Sequence, residues 1–212
     1  MMTWVVEGFS WIALAFYFGC LIPQIIENYQ LKSTRGLSDF SLYLFYLAHV
    51  SLYFYTFLTD LPLAYKTIAP WQSTAMVVIM IQRLYYGGIS TDKFYSFIVI
   101  ASSVLAVACI PVAFFVPELI ASITGWICVV AFAVQPLPQV IKIFKERSVH
   151  GFSFSFVLLK TIAVASELMF ALLRHLPIQT FVMVSLGATF QVVFFLQFWL
   201  YGKKSGFKKI NF

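Results

Sequence analysis

Seven stretches of this 212-residue chain are long and apolar enough to cross a lipid bilayer, and they account for most of its length. A spanning helix needs about 20 mostly apolar residues. Residues 5–29, 38–58, 68–86, 94–115, 117–144, 153–173 and 177–201 are such runs, the first interrupted by Pro23 and the fifth by Pro136 and Pro138. They lack the two-residue alternation of barrel strands and are too long for them, so helices are the predicted form. Only 10% of the residues are charged, while 61% are hydrophobic; soluble domains carry about 25% charged residues. Too few charges remain to cover a water-facing surface, which excludes a soluble enzyme or a disordered chain. The first run carries Glu7, lacks a basic stretch before it and is followed by further runs, so it reads as a span and not a cleaved signal peptide.

The charges are placed unevenly. Lys32, Arg35, Lys93, Lys142, Lys145, Arg147, Lys203, Lys204, Lys208 and Lys209 fall on one side of the implied path through the membrane, against Lys66 and Arg174 on the other. Basic loops remain in the cytosol, which predicts the N-terminus outside and the C-terminus in the cytosol. The net charge of +6 is thereby an orientation signal. Residues 203–212 become a basic tail on anionic lipid, and no nucleic acid is needed as a partner. Cys20, Cys109 and Cys128 lie in apolar runs with no CxxC and no His/Cys cluster. Neither a disulfide framework, nor a metal site, nor any other cofactor is expected.

Sliding the sequence on itself by 115 residues superposes its two halves. Trp11 meets Trp126, Pro23-Gln24 meets Pro138-Gln139, and Ser33, Gly36 and Ser38 meet Ser148, Gly151 and Ser153. Leu61-Pro62 meets Leu176-Pro177, and Gln82, Tyr86 and Gly87 meet Gln197, Tyr201 and Gly202 without any gap. Such a register marks an internal duplication. Each repeat holds three runs, and the run at 94–115 is unmatched. The expected fold is therefore an all-α membrane protein of seven helices in a 3+1+3 arrangement: a first triple-helix bundle at 1–91, a linker helix at 92–116, a second bundle at 117–202 and the tail at 203–212. One extra crossing returns the second repeat in the orientation of the first. Parallel repeats of this kind place a substrate path at their interface, near the midplane.

In both repeats a helix ends within a stretch that opens on Pro-Gln and carries Ser, Gly and Ser at the same spacings. These stretches resemble PQ-loop motifs. Over nearly its whole length the chain resembles the PQ-loop transporter family, which includes cystinosin-like amino-acid transporters and is related to the SWEETs. Proline removes a backbone donor and frees a carbonyl one turn earlier, and the adjacent glutamine can satisfy freed backbone groups or bond a substrate. Pro23, Gln24, Pro138 and Gln139 are thus the expected hinge and gating residues. Gly36 and Gly151 are read as tight-turn residues, with Ser38 and Ser153 as N-caps.

Ionisable groups within spans are costly and usually functional. Lys160 and Glu167 are seven residues apart, nearly on one helix face and about 10 Å apart along the axis. Lys160 could take a carboxylate, and Glu167 an ammonium or a proton. Cystinosin-like members resemble one another in an aspartate linked to proton coupling at the position of Lys160, so Glu167 or His49 becomes the candidate for that role. Gln135 and Gln191 are further candidates for contact with substrate. Gln82 and Gln197 suit capping or gate contacts, Arg83 faces the cytosolic interface, and Tyr43, Tyr46 and Tyr53 could line the path.

The resemblance implies a secondary transporter that moves a small polar metabolite, most simply a cationic or zwitterionic amino acid, by alternating access, with proton symport as an option. Its partners would be that substrate, protons and the bilayer. A SWEET-like sugar facilitator is one alternative, but SWEETs resemble one another in a pocket asparagine pair, and Asn28 and Asn211 are the only asparagines here. A cargo receptor of the KDEL-receptor kind would carry an arginine cluster, whereas Arg83 and Arg174 lie on opposite sides. No nucleophile–base pair suggests an enzyme. Without an Asn-x-Ser/Thr sequon or a tyrosine sorting signal, a bacterial inner membrane is the expected location, with a lysosomal or vacuolar membrane as the alternative.

Overall fold

The computed structural model describes residues 2–59, 61, 63–87, 104, 107, 111–176 and 178–202. Its regular elements are all helices: α1 (Met2–Leu31), α2 (Asp39–Leu58), α3 (Leu63–Gly87), α4 (Pro117–Val134), α5 (Pro136–Glu146), α6 (Phe154–Arg174) and α7 (Ile178–Tyr201). Residues 104, 107 and 111–115 are helical as well. The rest of the expected linker helix, Lys93 and the basic tail lie outside the described residues.

Local chemistry sets the helix ends. The hydroxyls of Ser38 and Ser153 accept from the amides of Ser41 and Phe156, capping α2 and α6 as expected. Both PQ helices stop at a residue in the left-handed region, Lys32 with φ 47° and Arg147 with φ 48°, which are equivalent positions of the two repeats. Of the interruptions that prolines predict, only the one at Pro136 in the fifth run is seen; Pro23 and Pro138 lie inside continuous helices, their lost N–H tolerated there. α4 ends at Val134 and α5 opens on Pro136, where a missing N–H costs nothing. Gln135 between them keeps helical dihedrals, so the chain continues across the break in the same sense. α3 begins five residues earlier than the apolar run at 68–86 suggests.

Among the described residues, five stretches, Trp4–Leu31, Asp39–Leu58, Pro117–Glu146, Phe154–Arg174 and Ile178–Tyr201, are long and apolar enough to cross a membrane. Trp4, Trp11, Phe115 and Trp199 stand exposed on the outside, the surface expected against lipid and not against water. The chain is an all-α, multi-pass integral membrane protein.

Within each repeat the third helix packs against both the first and the second. Between repeats, the first helix of one packs on the second helix of the other: α1 on α6, and α2 on α4. The order α1, α3, α2, α4, α7, α6 and back to α1 closes a ring of helices. One apolar cluster fills the ring near the PQ ends, around Leu37, Phe45, Met76, Ile143, Phe152 and Phe194. A second, around Leu52, Tyr55, Leu61, Tyr65 and Phe170, fills the opposite end. Buried polar side chains, among them Gln72, His49, Glu167 and Gln191, lie between the two clusters.

Candidate functional site

Each PQ glutamine reaches across the ring to the loop of the other repeat. Gln24 Nε2 donates to the Gly151 carbonyl at 3.0 Å, and the Ser153 amide donates to Gln24 Oε1 at 2.9 Å. In the equivalent place, Gln139 Nε2 donates to the Gly36 carbonyl at 2.9 Å and the Ser38 amide donates to Gln139 Oε1 at 2.8 Å. Every residue in one clamp is 115 positions from its counterpart in the other. Both glutamines are buried, so breaking a clamp leaves buried donors and acceptors unpaired, at about 1–3 kcal/mol each. The two glycines touch back to back. Gly151 has φ 76°, and a Cβ on Gly36 would collide with the backbone of His150 and Gly151. Side chains are excluded here because the loops must meet.

Further contacts close the same end. Lys142 Nζ donates to the carbonyls of Arg35 and Leu37, the latter at 2.7 Å. Arg83 donates to both carboxylate oxygens of Asp39, at 2.5 and 2.9 Å, tying the start of α2 to the end of α3. Gln82 and Gln197, equivalent residues of α3 and α7, brace the PQ helices by donating to the carbonyls of Ile25 at 3.0 Å and Val140 at 2.8 Å. They are braces of the gate helices and not caps.

Between this gate and the opposite end lies a cavity of about 60 Å³, room for roughly four or five waters. His49, Gln135, Lys160, Glu167 and Gln191 all line it, so the five polar residues singled out from the sequence share one space. A second cavity of about 50 Å³ separates it from the glutamine clamps. Phe45, Gln135, Lys160 and Phe194 line both cavities and form the partition.

Lys160 Nζ sits 4.5 Å from the ring centre of Phe45 and 5.4 Å from that of Phe156, cation–π contacts that steady a charge in a dry setting. Phe45 is the residue equivalent to Lys160 in the first repeat, so the two meet across the axis. Among the described residues no carboxylate pairs with Lys160. Glu167 Oε2 accepts from the Tyr17 hydroxyl at 2.5 Å. His49 Nδ1 lies 2.8 Å from the Phe45 carbonyl; that oxygen can only accept, so Nδ1 is assigned the proton. Gln191 Oε1 accepts from Thr161 at 3.4 Å. The Gln135 carbonyl, close to the proline break, accepts from the Ser41 hydroxyl. Among the described residues no group of three His, Cys, Asp or Glu could hold a metal.

The PQ loop repeat pattern matches residues 5–65 and 120–180, two copies 115 residues apart, each ending just beyond its second helix. The chain belongs to the PQ-loop family. An uncharacterised protein of Schizosaccharomyces pombe is 28% identical over 145 residues, covering 65% of this chain and 51% of that protein. A vacuolar arginine/histidine antiporter of Saccharomyces cerevisiae, YPQ2, is 61% identical over 31 residues, 15% of this chain and 10% of the antiporter. The matched segments thus span about half the length of the first relative and a tenth of the second. A solved eukaryotic SWEET transporter shares the fold, with a TM-score of 0.58 and 17% identity over 91% of this chain and 99% of that one.

In this PQ-loop protein, sequence reasoning overlooked several cavity residues, among them Tyr17, Phe45, Tyr65 and Gln72. Tyr17 carries a usable signal, because Ser10, Tyr17 and Gln24 repeat every seven residues and form a polar stripe on one face of α1. Gln72, which donates to the Tyr17 carbonyl at 2.7 Å, was signalled only by being a buried-span amide. The tyrosines of α2 go elsewhere. Tyr46 is buried in the apolar cluster near the PQ ends, Tyr43 packs against that cluster, and Tyr53 is exposed.

Proposed function

We propose that this PQ-loop protein is a carrier for a small amino acid with separated charges, and that the ring opens alternately at its two ends. The observation that carries the reading is the cavity holding Lys160 and Glu167, one cation and one anion that do not pair with each other, beside a gate made by the two glutamine clamps. Two charges of opposite sign, seven residues apart on one helix, offer a carboxylate partner and a cation partner about 10 Å apart along its axis. That gap exceeds the separation of an α-amino and an α-carboxylate group. It suits a substrate with its second charge on the side chain, which favours a basic amino acid. The arginine and histidine of the yeast antiporter's name fit this class.

In this reading the clamps are the closed form of one gate, with Pro23 and Pro138 as its hinges, and the two triple-helix bundles move against each other. Glu167 carries the proton in place of the aspartate of cystinosin-like relatives, and His49 assists by bonding substrate. The basic side of the membrane is the cytosol, so the gate closed here is the cytosolic one. Of the two compartments that the sequence leaves open, yeast relatives, one of them vacuolar, favour a vacuolar-type membrane over a bacterial one.

The test is uptake into proteoliposomes of labelled arginine, histidine, leucine and glucose, with and without an imposed pH gradient. Arginine or histidine uptake is expected, reduced more than tenfold in Lys160→Ala and made indifferent to the gradient in Glu167→Gln. Uptake of glucose alone would replace this reading with the sugar facilitator, and uptake of none would return the cargo-receptor alternative.

A further inference from the structure

The carrier reading seats two of the three charges of a basic amino acid, the carboxylate at Lys160 and the side-chain cation at Glu167. The α-ammonium group is left without a partner. It is joined to the carboxylate through one carbon, so its seat must lie beside Lys160. Glu167 is the one carboxylate among the described residues that line the cavity, and it stands two helical turns from Lys160. What does lie beside Lys160 is an aromatic ring. Phe45 lines both cavities, with its ring centre 4.5 Å from Lys160 Nζ, and the negative face of a ring attracts a cation placed over it.

The surroundings hold this ring in place. His49 lies against it with ring centres 4.3 Å apart, and Phe132 meets it edge-on at 6.2 Å. The backbone is tied as well, through the Phe45 carbonyl and His49 Nδ1 at 2.8 Å. With Lys160 over it Phe45 is buried, so a seat for another cation opens only when the lysine withdraws. A carboxylate supplies the reason to withdraw. Among the described residues none pairs with Lys160, and an ion pair with charge-assisted hydrogen bonds is stronger than a cation–π contact. Phe156, whose ring centre is 5.4 Å from Nζ, lines the clamp-side cavity and not the one that holds Glu167.

We propose that the Phe45 ring is the seat of the substrate's α-ammonium group, taken over from Lys160 when the substrate carboxylate draws that lysine away. Such a seat has a use only in the carrier reading above, which it deepens. One cation replaces another on the same ring, and the carboxylate lies between the two, which offsets their repulsion. Recognition then has an order, carboxylate first and α-ammonium second. A cation without a carboxylate finds the ring already occupied. The duplication makes the exchange possible, since Phe45 and Lys160 are equivalent positions 115 residues apart that meet across the axis.

The test reads binding as the ligand-induced rise in melting temperature of the purified protein. The ligands are arginine, δ-guanidinovalerate (arginine without its α-amine) and agmatine (arginine without its carboxylate). The unsubstituted protein is expected to bind arginine about tenfold more tightly than either analogue. Phe45→Leu, backed by Phe45→Met as a closer match in volume, should weaken arginine about tenfold and leave δ-guanidinovalerate within about twofold. The preference for the α-amine then disappears. Phe45→Tyr should keep it by offering another π face, and Phe156→Leu should keep it because that ring is not the seat. Four results would each overturn the proposal while leaving arginine as a substrate: equal binding of arginine and δ-guanidinovalerate, agmatine binding as tightly as arginine, a preference that survives both Phe45→Leu and Phe45→Met, or one lost equally in Phe156→Leu. No binding of arginine at all would overturn the carrier reading itself, and this seat with it.

Discussion

α1 runs unbroken through Pro23 for 30 residues, whereas the matching stretch of the second repeat is divided at Gln135 into α4 and α5 by the additional Pro136. The braces differ too. In the first repeat Gln82 uses both ends of its amide: it donates to Ile25 and accepts from Asn28 Nδ2 at 3.0 Å. Asn28 in turn accepts from Gln24 at 2.9 Å, which joins brace and clamp in one network. The second repeat has Ile143 in place of Asn28, and Gln197 Oε1 is left buried without a partner. Two arms with the same motif are therefore held unequally. A duplicated motif does not imply two equivalent hinges. The second arm, short, proline-broken and missing one bond, is the one expected to move first.

The largest effect should come from removing what both arms share. Gly36→Ala places a methyl into the backbone of the opposing loop, which cannot yield as a flexible side chain would, at a cost of about 2–4 kcal/mol against closure. Spin labels at Ser33 and Ser148 should then report a longer and broader distance distribution; an unchanged one would mean that the glycine contact does not govern closure. Next come the clamps. Gln139→Ala leaves the half-buried Gly36 carbonyl and Ser38 amide unpaired, and Gln24→Ala leaves the buried Gly151 carbonyl, the Ser153 amide and Asn28. The same labels should show more opening for Gln24→Ala, by about 1 kcal/mol or fivefold in population. Equal opening would remove the claim that the first arm is the better tied.

The smallest effects should sharpen the comparison by exchanging the arms. Ile143→Asn offers Gln197 its missing donor and is expected to stabilise the second arm by about 1 kcal/mol, while Asn28→Ile weakens the first by about the same or slightly more. Amide hydrogen exchange across α5 and the last two turns of α1 reads both. Slower exchange in α5 for Ile143→Asn is the expected sign, and faster exchange would show that the orphaned oxygen is not what loosens this arm.

Much of this was legible locally. The caps at Ser38 and Ser153, the turn at Gly151 and the break at Pro136 follow from which residues tolerate which backbone angles. Lys160, Glu167, His49, Gln135 and Gln191 stood out because polar groups in apolar runs are costly, and all five line one cavity. Tyr65 was not legible in this way. A tyrosine in a span is ordinary as an apolar ring, and only the packed structure, which sets Tyr65 beside Glu167 in the cavity wall, marks it. Gln24 shows the same limit: its two functions, bonding its own neighbour Asn28 and clamping Gly151 of the other repeat, look alike in a sequence.

From the sequence alone come the membrane setting, the duplication by 115 residues, the capped starts of α2 and α6 and the identity of the polar residues. Each depends on composition, on periodicity or on interactions within one or two helical turns. Only the tertiary structure decides that α1 packs on α6 and α2 on α4, and with this that the clamps cross between repeats, that Lys160 faces Phe45 and that Glu167 meets Tyr17. These pairs lie far apart along the chain. Helical periodicity says which face a residue occupies, but the order of helices around the ring determines what that face meets.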